Sequence, residues 1–291
     1  VYTYTRSMYS SYLVGCCDAY WMGRAFCNKS KTARFWILFA GAFMNLLLGL
    51  VLMFFCVAFS KTLYSNTIDR FLVADERGNA VAEYRGLMPG DELIKVGNTS
   101  LFVRYDYLFA AMRTKGEPTT LTVRRGGETV TIENFTFPTT NDGGEVFGEP
   151  NFFVPQAKEK SVGSVLYETA FQTASVVKTV VLSLYDLLTG KFGVEAVSGP
   201  VGVVTEVSES VRYGLRSVLF LISMITINIG VFNLLPFPAL DGGRIAFLLI
   251  EAIIGRKIDR RLEGIVNAAG LALLLLFMLF ITFKDIASLF S

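Results

Sequence analysis

The 291-residue chain carries 27 Lys and Arg against 25 Asp and Glu, has no histidine, and is 52% hydrophobic with only 18% charged residues. A mean hydropathy of +0.48 is too high for an ordinary soluble domain of this length, and a net charge of +2 leaves no electrostatic footprint for nucleic acid. The expected fold class is therefore an α-helical polytopic membrane protein, here with three spans, into which an extracytoplasmic α+β domain is inserted.

In chain order, residues 1–34 form an atypical N-terminal segment that ends in a basic approach, Arg24, Lys29, Lys31 and Arg34. Residues 35–59 are uncharged and long enough to cross a bilayer, which takes about 20 residues. Residues 66–138 have the composition of a small α+β domain, and 139–165 that of a linker rich in Thr, Asn, Asp and Gly. Residues 166–190 are amphipathic and contain Gln172, Lys178 and Asp186, so they are expected to lie at the membrane interface rather than to cross. A second span is expected in 215–254 and a third in 262–284. Arg256, Lys257, Arg260 and Arg261 fall between those two, and this cluster and the first are both expected on the cytoplasmic side, with 61–216 outside. A fourth crossing would put one of the two clusters on the wrong side.

The four cysteines make no framework: Cys16 and Cys17 are adjacent, Cys27 stands alone and Cys56 lies in an apolar run. Free thiols are expected, since no further ligands stand at zinc-site spacing.

Within 66–138, strands are expected at 70–74 and 92–96 and a short helix at 104–113. A hairpin is expected from 121–123 and 129–132, turning on Arg125-Gly126-Gly127-Glu128. Between the first two strands, and running into the second, stands Gly86-Leu87-Met88-Pro89-Gly90-Asp91-Glu92-Leu93-Ile94-Lys95-Val96. This stretch resembles the PDZ domains of bacterial membrane proteases. The resemblance implies a domain that takes an extended peptide along a sheet edge.

The run from Asn228 to Arg244 places Asp241 at the broken end of a long apolar segment. A carboxylate there costs several kcal/mol unless it has a partner, which makes it a functional-site candidate. Pro236 and Pro238 remove backbone donors and interrupt the helix, which is tolerated at membrane depth only where freed groups are buried in protein or line a wet cavity. A plainer reading of Asp241 and Gly242 is a helix-ending turn at the membrane surface. Asn45 and Asn228 are expected to hydrogen-bond between helices. Arg244 and Glu251, two turns apart, are expected to serve as interfacial anchors.

Asn233-Leu234-Leu235-Pro236-Phe237-Pro238-Ala239-Leu240-Asp241-Gly242 matches the Asn-x-x-Pro-x-Pro-x-Leu-Asp-Gly signature of site-two-type intramembrane zinc metalloproteases. Arg24-Ala25-Phe26, Asn28-Lys29, the stretch Ala40-Gly41-Ala42-Phe43-Met44-Asn45, the Ser198-Gly199-Pro200-Val201-Gly202 loop and Gly264-Ile265-Val266-Asn267 resemble the same family, so the likeness runs from about Arg24 to the C-terminus. It implies a bacterial, multi-pass protease of the cytoplasmic membrane with one PDZ domain. Such an enzyme lies in membrane lipid and cuts transmembrane proteins, such as an anti-sigma factor or a remnant signal peptide, in regulated intramembrane proteolysis. It further implies that Asp241 is a Zn2+ ligand and that Asn233 lies near the substrate backbone, with Pro236, Pro238 and Gly242 shaping the motif. The family's other ligands are the two histidines of a His-Glu-x-x-His helix, and its catalytic base is the glutamate between them. Neither histidine occurs here, so an N-terminally truncated, inactive product is expected. The alternatives are a catalytically dead PDZ-bearing membrane adaptor and an ion-coupled transporter built on the broken helix.

Overall fold

The computed structural model describes residues 29–73, 83–142, 145–193, 197–256 and 258–288. The segment 1–23 with Cys16 and Cys17, residues 24–28 with the family-like Arg24-Ala25-Phe26, and Lys257 lie outside the described residues. The chain divides into two compact units. One comprises the described residues up to Leu48 with Ile225–Phe283, the other Gly49–Met224 with the residues from Lys284 on.

The first element is helix α1, Lys31–Ala58, apolar along nearly its whole length. At 1.5 Å per residue its 28 residues reach about 42 Å, more than the ~30 Å hydrocarbon core requires. Next come strands β1 (Leu63–Phe71), β2 (Glu92–Val96) and β3 (Thr99–Ser100), helix α2 (Arg104–Met112), strands β4 (Thr119–Arg125), β5 (Glu128–Phe135), β6 (Thr139–Asp142), β7 (Glu145–Gly148) and β8 (Phe153–Lys158), and the long helix α3 (Val162–Leu188). Helices α4 (Pro200–Tyr213), α5 (Leu215–Leu234), α6 (Asp241–Ile254) and α7 (Arg260–Ser288) complete the chain.

Strands β5, β4, β2, β1 and β8 form one antiparallel sheet in that order, with β3 on β2, while β6 and β7 make a separate hairpin. The strand at 92–96, the helix beginning at Arg104 and the Gly126-Gly127 hairpin stand where alternation and turn chemistry put them. The first strand does not. It runs from Leu63 to Phe71 rather than 70–74, because Leu63, Ile68 and Phe71 turn into the core while the strand pairs with β2 on one side and β8 on the other. The stretch 139–165, expected as a linker, also carries structure. Its Thr, Asn and Asp residues build the β6–β7 hairpin, and Phe152 and Phe153 bury their rings as β8 joins β1. Composition read the turn residues as a connector, when the apolar pair just beyond them commits the chain to the sheet.

The core of this domain is aromatic. Tyr107, Phe135, Phe137, Phe152 and Phe153 interlock with centroid separations of 5.0–6.3 Å, a range that favours edge and offset ring contacts. Tyr107 is fully buried and donates its hydroxyl to the Pro150 carbonyl at 2.8 Å, and burial holds its pKa well above the usual phenol range. Asp91, also fully buried, takes both arms of Arg125 at 2.7 Å and the Met88 amide at 2.9 Å, which locks the Gly86–Asp91 turn onto β4. Gly90 has φ +92°, a conformation in which a side chain would be strained.

Helix α3 starts on a reciprocal cap between Ser161 and Ser164. Two of the polar residues that suggested an interfacial helix turn toward the sheet domain instead. Asp186, 1% exposed, is bidentate with Arg113 at 2.6 and 2.7 Å, and Lys178 reaches Asp106 at 3.3 Å.

Helices α1, α5 and α7 are long and apolar enough to cross a membrane, and most of each apolar window faces outward, as lipid-exposed helices do. The segment 215–254 is not one span: it resolves into α5 and α6 with an irregular break between them. In the unit that contains this break, α1 and α5 approach through Gly230, where a Cβ would stand 2.9 Å from the Leu46 side chain and 3.2 Å from the Ala42 carbonyl. Small residues permit that approach where hydrophobic driving force between helices is absent.

Candidate functional site

The break is built by residues that cannot continue a helix. The Leu235 amide bonds the Phe232 carbonyl at 3.1 Å, the next residue is Pro236, the Phe237 amide folds back on Leu235 at 2.7 Å, and Pro238 follows. Ala239 has φ +73°, unusual for a residue with a side chain, and its amide donates to Asn267 Oδ1 of α7 at 3.0 Å. The Leu240 amide then bonds Phe237 at 3.2 Å, and α6 begins.

Asp241 is therefore the first residue of a helix, not the end of one. The reading as a helix-ending turn is set aside. A carboxylate in a helix's first turn is stabilised by the unpaired amides and the positive end of the dipole. Among the described residues the carboxylate makes no hydrogen bond or ion pair. It faces α1 where α1 has no side chain: a Cβ built on Gly41 would be 3.7 Å from Asp241 Oδ2.

Gly242 and Gly243 are buried beneath the break. A Cβ on Gly242 would collide with the Leu234 and Leu235 carbonyls, and one on Gly243 with the Phe237 carbonyl. A third close approach sets Pro238 against Gly270 of α7. The two glycines after Asp241 are thus a steric necessity here, since backbone sits where their side chains would be. Asn267 and Gly270 also brace the break; the sequence marks Asn267 within the family-like Gly264-Ile265-Val266-Asn267 stretch but gives no sign that it meets the Ala239 amide.

The structure brings Asp241, Gly242, Pro236 and Pro238 together around one turn and places Asn233 just before it, half-buried near the end of α5. Asn228 and Asn233, five residues apart, point roughly 140° apart on the helix. Asn228 does not make the interhelical bond expected of it: its Oδ1 is buried without a partner. Glu251 departs from expectation too. It is 7% exposed, pairs with Arg34 at 3.0 Å, accepts the Ile258 amide at 3.1 Å, and its carbonyl receives Lys31 Nζ at 2.8 Å. Arg244, on the same helical face two turns back, is exposed. Tertiary packing turned one of a pair of apparent surface anchors into the clamp between α1 and α6.

As a metal site the residues present are incomplete. A catalytic zinc takes three protein ligands, and among the described residues no three His, Cys, Asp or Glu side chains converge. The Asp241 carboxylate would supply only one ligand, and the chain has no histidine. These residues do not fit a complete zinc centre by themselves.

Comparison with known proteins gives a consistent result. Residues 5–277 match the family described as Peptidase family M50. A Clostridium acetobutylicum protein is 34% identical over 90% of this chain and 75% of its own length. The zinc metalloproteases RasP of Geobacillus kaustophilus and Oceanobacillus iheyensis are 32% and 29% identical over 92% of this chain, which spans 62% of each of them.

Proposed function

Since the chain belongs to peptidase family M50, we propose that it is the motif-bearing part of a membrane-embedded zinc endopeptidase that cleaves transmembrane segments of substrate proteins, with Asp241 as one metal ligand. The observation that carries this reading is the Asp241 carboxylate, free of partners at the start of α6 and facing the side-chain gap at Gly41. An acid at such a depth is costly, and metal ligation is a use that repays it. Asn233 is the residue proposed to meet the substrate backbone, and Asn228, with its unpaired Oδ1, the polar group behind it.

In the same reading the sheet domain is PDZ-like and extracytoplasmic. Two features support it: the Gly86–Asp91 turn held by Asp91, and β8, which ends the sheet and leaves an edge on which an extended peptide could pair. Substrates such as an anti-sigma factor or a remnant signal peptide, and a bacterial cytoplasmic membrane as the location, follow from the family alone.

The two histidines of a His-Glu-x-x-His helix are not among these residues, so the 291-residue polypeptide alone is expected to bind zinc weakly and to cleave nothing. Metal analysis of the purified polypeptide checks this, and stoichiometric zinc would overturn the single-ligand assignment. Supplying a His-Glu-x-x-His helix from a relative, fused or co-expressed, is expected to restore both metal and cleavage of a transmembrane substrate. Asp241→Ala should then remove both. Undiminished zinc and cleavage in Asp241→Ala would refute the role given to Asp241.

A further inference from the structure

The unit formed by Gly49–Met224 holds a second place where polar groups go unused. A cavity of about 480 Å³ lies among β1, the end of β8, the approach to α2, and α3, and its lining includes Tyr64, Asn66, Arg104, Lys158, Tyr167 and Glu168. Two of these residues carry buried atoms with no hydrogen-bond partner, Asn66 Oδ1 and Arg104 Nη1, and Asn66 is only 8% exposed. Buried polar atoms are rarely left so, because each unmet group costs about 1–3 kcal/mol.

The two acids and two bases of the lining, Glu92, Glu168, Arg104 and Lys158, balance in number but not in pairing. Glu92 is taken by Arg124 at 2.8 Å, and Lys158 by Glu168 at 3.3 Å. Arg104 pairs with no carboxylate among the described residues. It lies instead over the rings of Phe153 and Tyr107, at 5.3 and 5.7 Å. Burial lowers its pKa, as expected for a cation without a counter-ion. What remains is a guanidinium without a carboxylate partner and an asparagine side chain without a partner for its oxygen, both among the residues that line the cavity.

An apolar recess follows along α3. A groove of about 350 Å³ is lined by Phe54 and Ala58 at the end of α1 and by Val162 and Val165 of α3. Val165 and Glu168 are three residues apart on that helix, so groove and cavity succeed each other on one face. The groove begins on the last turns of a helix long and apolar enough to cross a membrane. Lys160 is not available to a headgroup, because its ammonium caps α1 through the Ala58 and Ser60 carbonyls at 2.6 and 2.8 Å.

We propose that cavity and groove together hold one glycerophospholipid, with its phosphate on Arg104, a hydrogen-bond donor of its headgroup on Asn66, and an acyl chain between Phe54 and Val165. An ethanolamine headgroup supplies phosphate and donor together. Choline supplies the phosphate without the donor. The site requires neither metal nor proteolysis, so its failure and that of the protease reading are separate results.

The test uses the whole 291-residue chain in nanodiscs of phosphatidylcholine containing one tenth phosphatidylethanolamine, with lipid retention after extraction read by native mass spectrometry. One retained phosphatidylethanolamine per chain is expected, in preference to the choline lipid. Arg104→Gln should weaken retention about tenfold or more, the cost of one charge-assisted bond. Asn66→Ala should abolish the preference for ethanolamine over choline. Unchanged retention in Arg104→Gln, or no headgroup preference in the unmodified chain, would overturn the proposal and leave a water-filled cavity. Soluble glycerophosphoethanolamine binding as tightly as the lipid would exclude a role for the groove, and displacement of the lipid by an extended peptide would assign the cavity to a peptide. The headgroup preference needs no variant, so a substitution that fails to fold does not remove the test.

Discussion

Two aspartates, each beside a glycine and just after a tight turn, show how differently the two units use the same chemistry. Asp91 in the sheet domain is fully buried and wholly engaged: both its oxygens take Arg125, and one also takes the Met88 amide. Asp241 begins α6 half-buried, with no partner among the described residues and a glycine opposite. One carboxylate holds the fold together, while the other is held in place by it. The scaffolding differs to match. The sheet domain is shaped by interlocked rings and ion pairs, and the motif unit by close backbone approaches at Gly230, Gly242, Gly243 and Gly270.

The largest effect that would break this contrast is expected at the glycines. Gly243→Val sets a branched side chain against the Phe237 carbonyl, where backbone cannot yield as a side-chain tip would. A loss of about 4 kcal/mol or more is expected, since this exceeds ordinary overpacking. Unfolding of the detergent-solubilised chain by a denaturing detergent would read it.

Asp91→Ala comes next. It leaves Arg125 and the Met88 amide without their acceptor and should cost about 3 kcal/mol, at the lower end for a broken buried pair because Arg125 is partly exposed. Urea titration followed by tyrosine fluorescence would report the loss in the sheet domain.

A smaller effect sharpens the picture of the cavity. Burial pushes the Glu168 carboxyl above its ordinary value of 4.5, and its bond from Lys158 offsets this only in part. The folded state therefore binds the proton more tightly than the unfolded one, so the stability this group contributes is present below pH 4.5 and is lost as pH rises through its raised pKa. Glu168→Gln should flatten that decline in stability-versus-pH curves. An unchanged slope would mean that the carboxyl is not desolvated.

The smallest loss of stability is expected for Asp241→Asn, which takes no partner from the fold and removes a charge that is costly at such a site, so the variant should be at least as stable as the parent chain. If it proved as destabilising as Asp91→Ala, the contrast between the two aspartates would disappear.

Much of this was legible from particular residues. Long uncharged runs mark the three membrane-spanning candidates, because length and apolarity are the whole requirement for crossing a bilayer. Gly126-Gly127 marks its hairpin, and the alternation at 92–96 its strand, through local backbone chemistry. The paired prolines mark the break before Asp241. Other features left little local trace. Thr139–Asp142 has turn composition, and only its partner Glu145–Gly148 makes it a strand. Lys178 and Asp186 read as a water-facing stripe until Asp106 and Arg113 are placed against them. Asn228 read as an interhelical donor and acceptor, and packing left its oxygen unmet.

The sequence by itself determined that this is a membrane protein of family M50, with a helix broken at Pro236 and Pro238 and an acid just beyond. It could do so because hydropathy, missing backbone donors and motif order are properties of neighbouring residues. Only the tertiary structure decided that Asp241 opens a helix opposite Gly41, that Glu251 clamps α1 to α6 through Arg34 and Lys31, and that Arg104 and Asn66 share the wall of one cavity. Those relations join residues from 38 to 220 positions apart in the chain. Partnership at that range is set by which surfaces pack, and no local pattern encodes it.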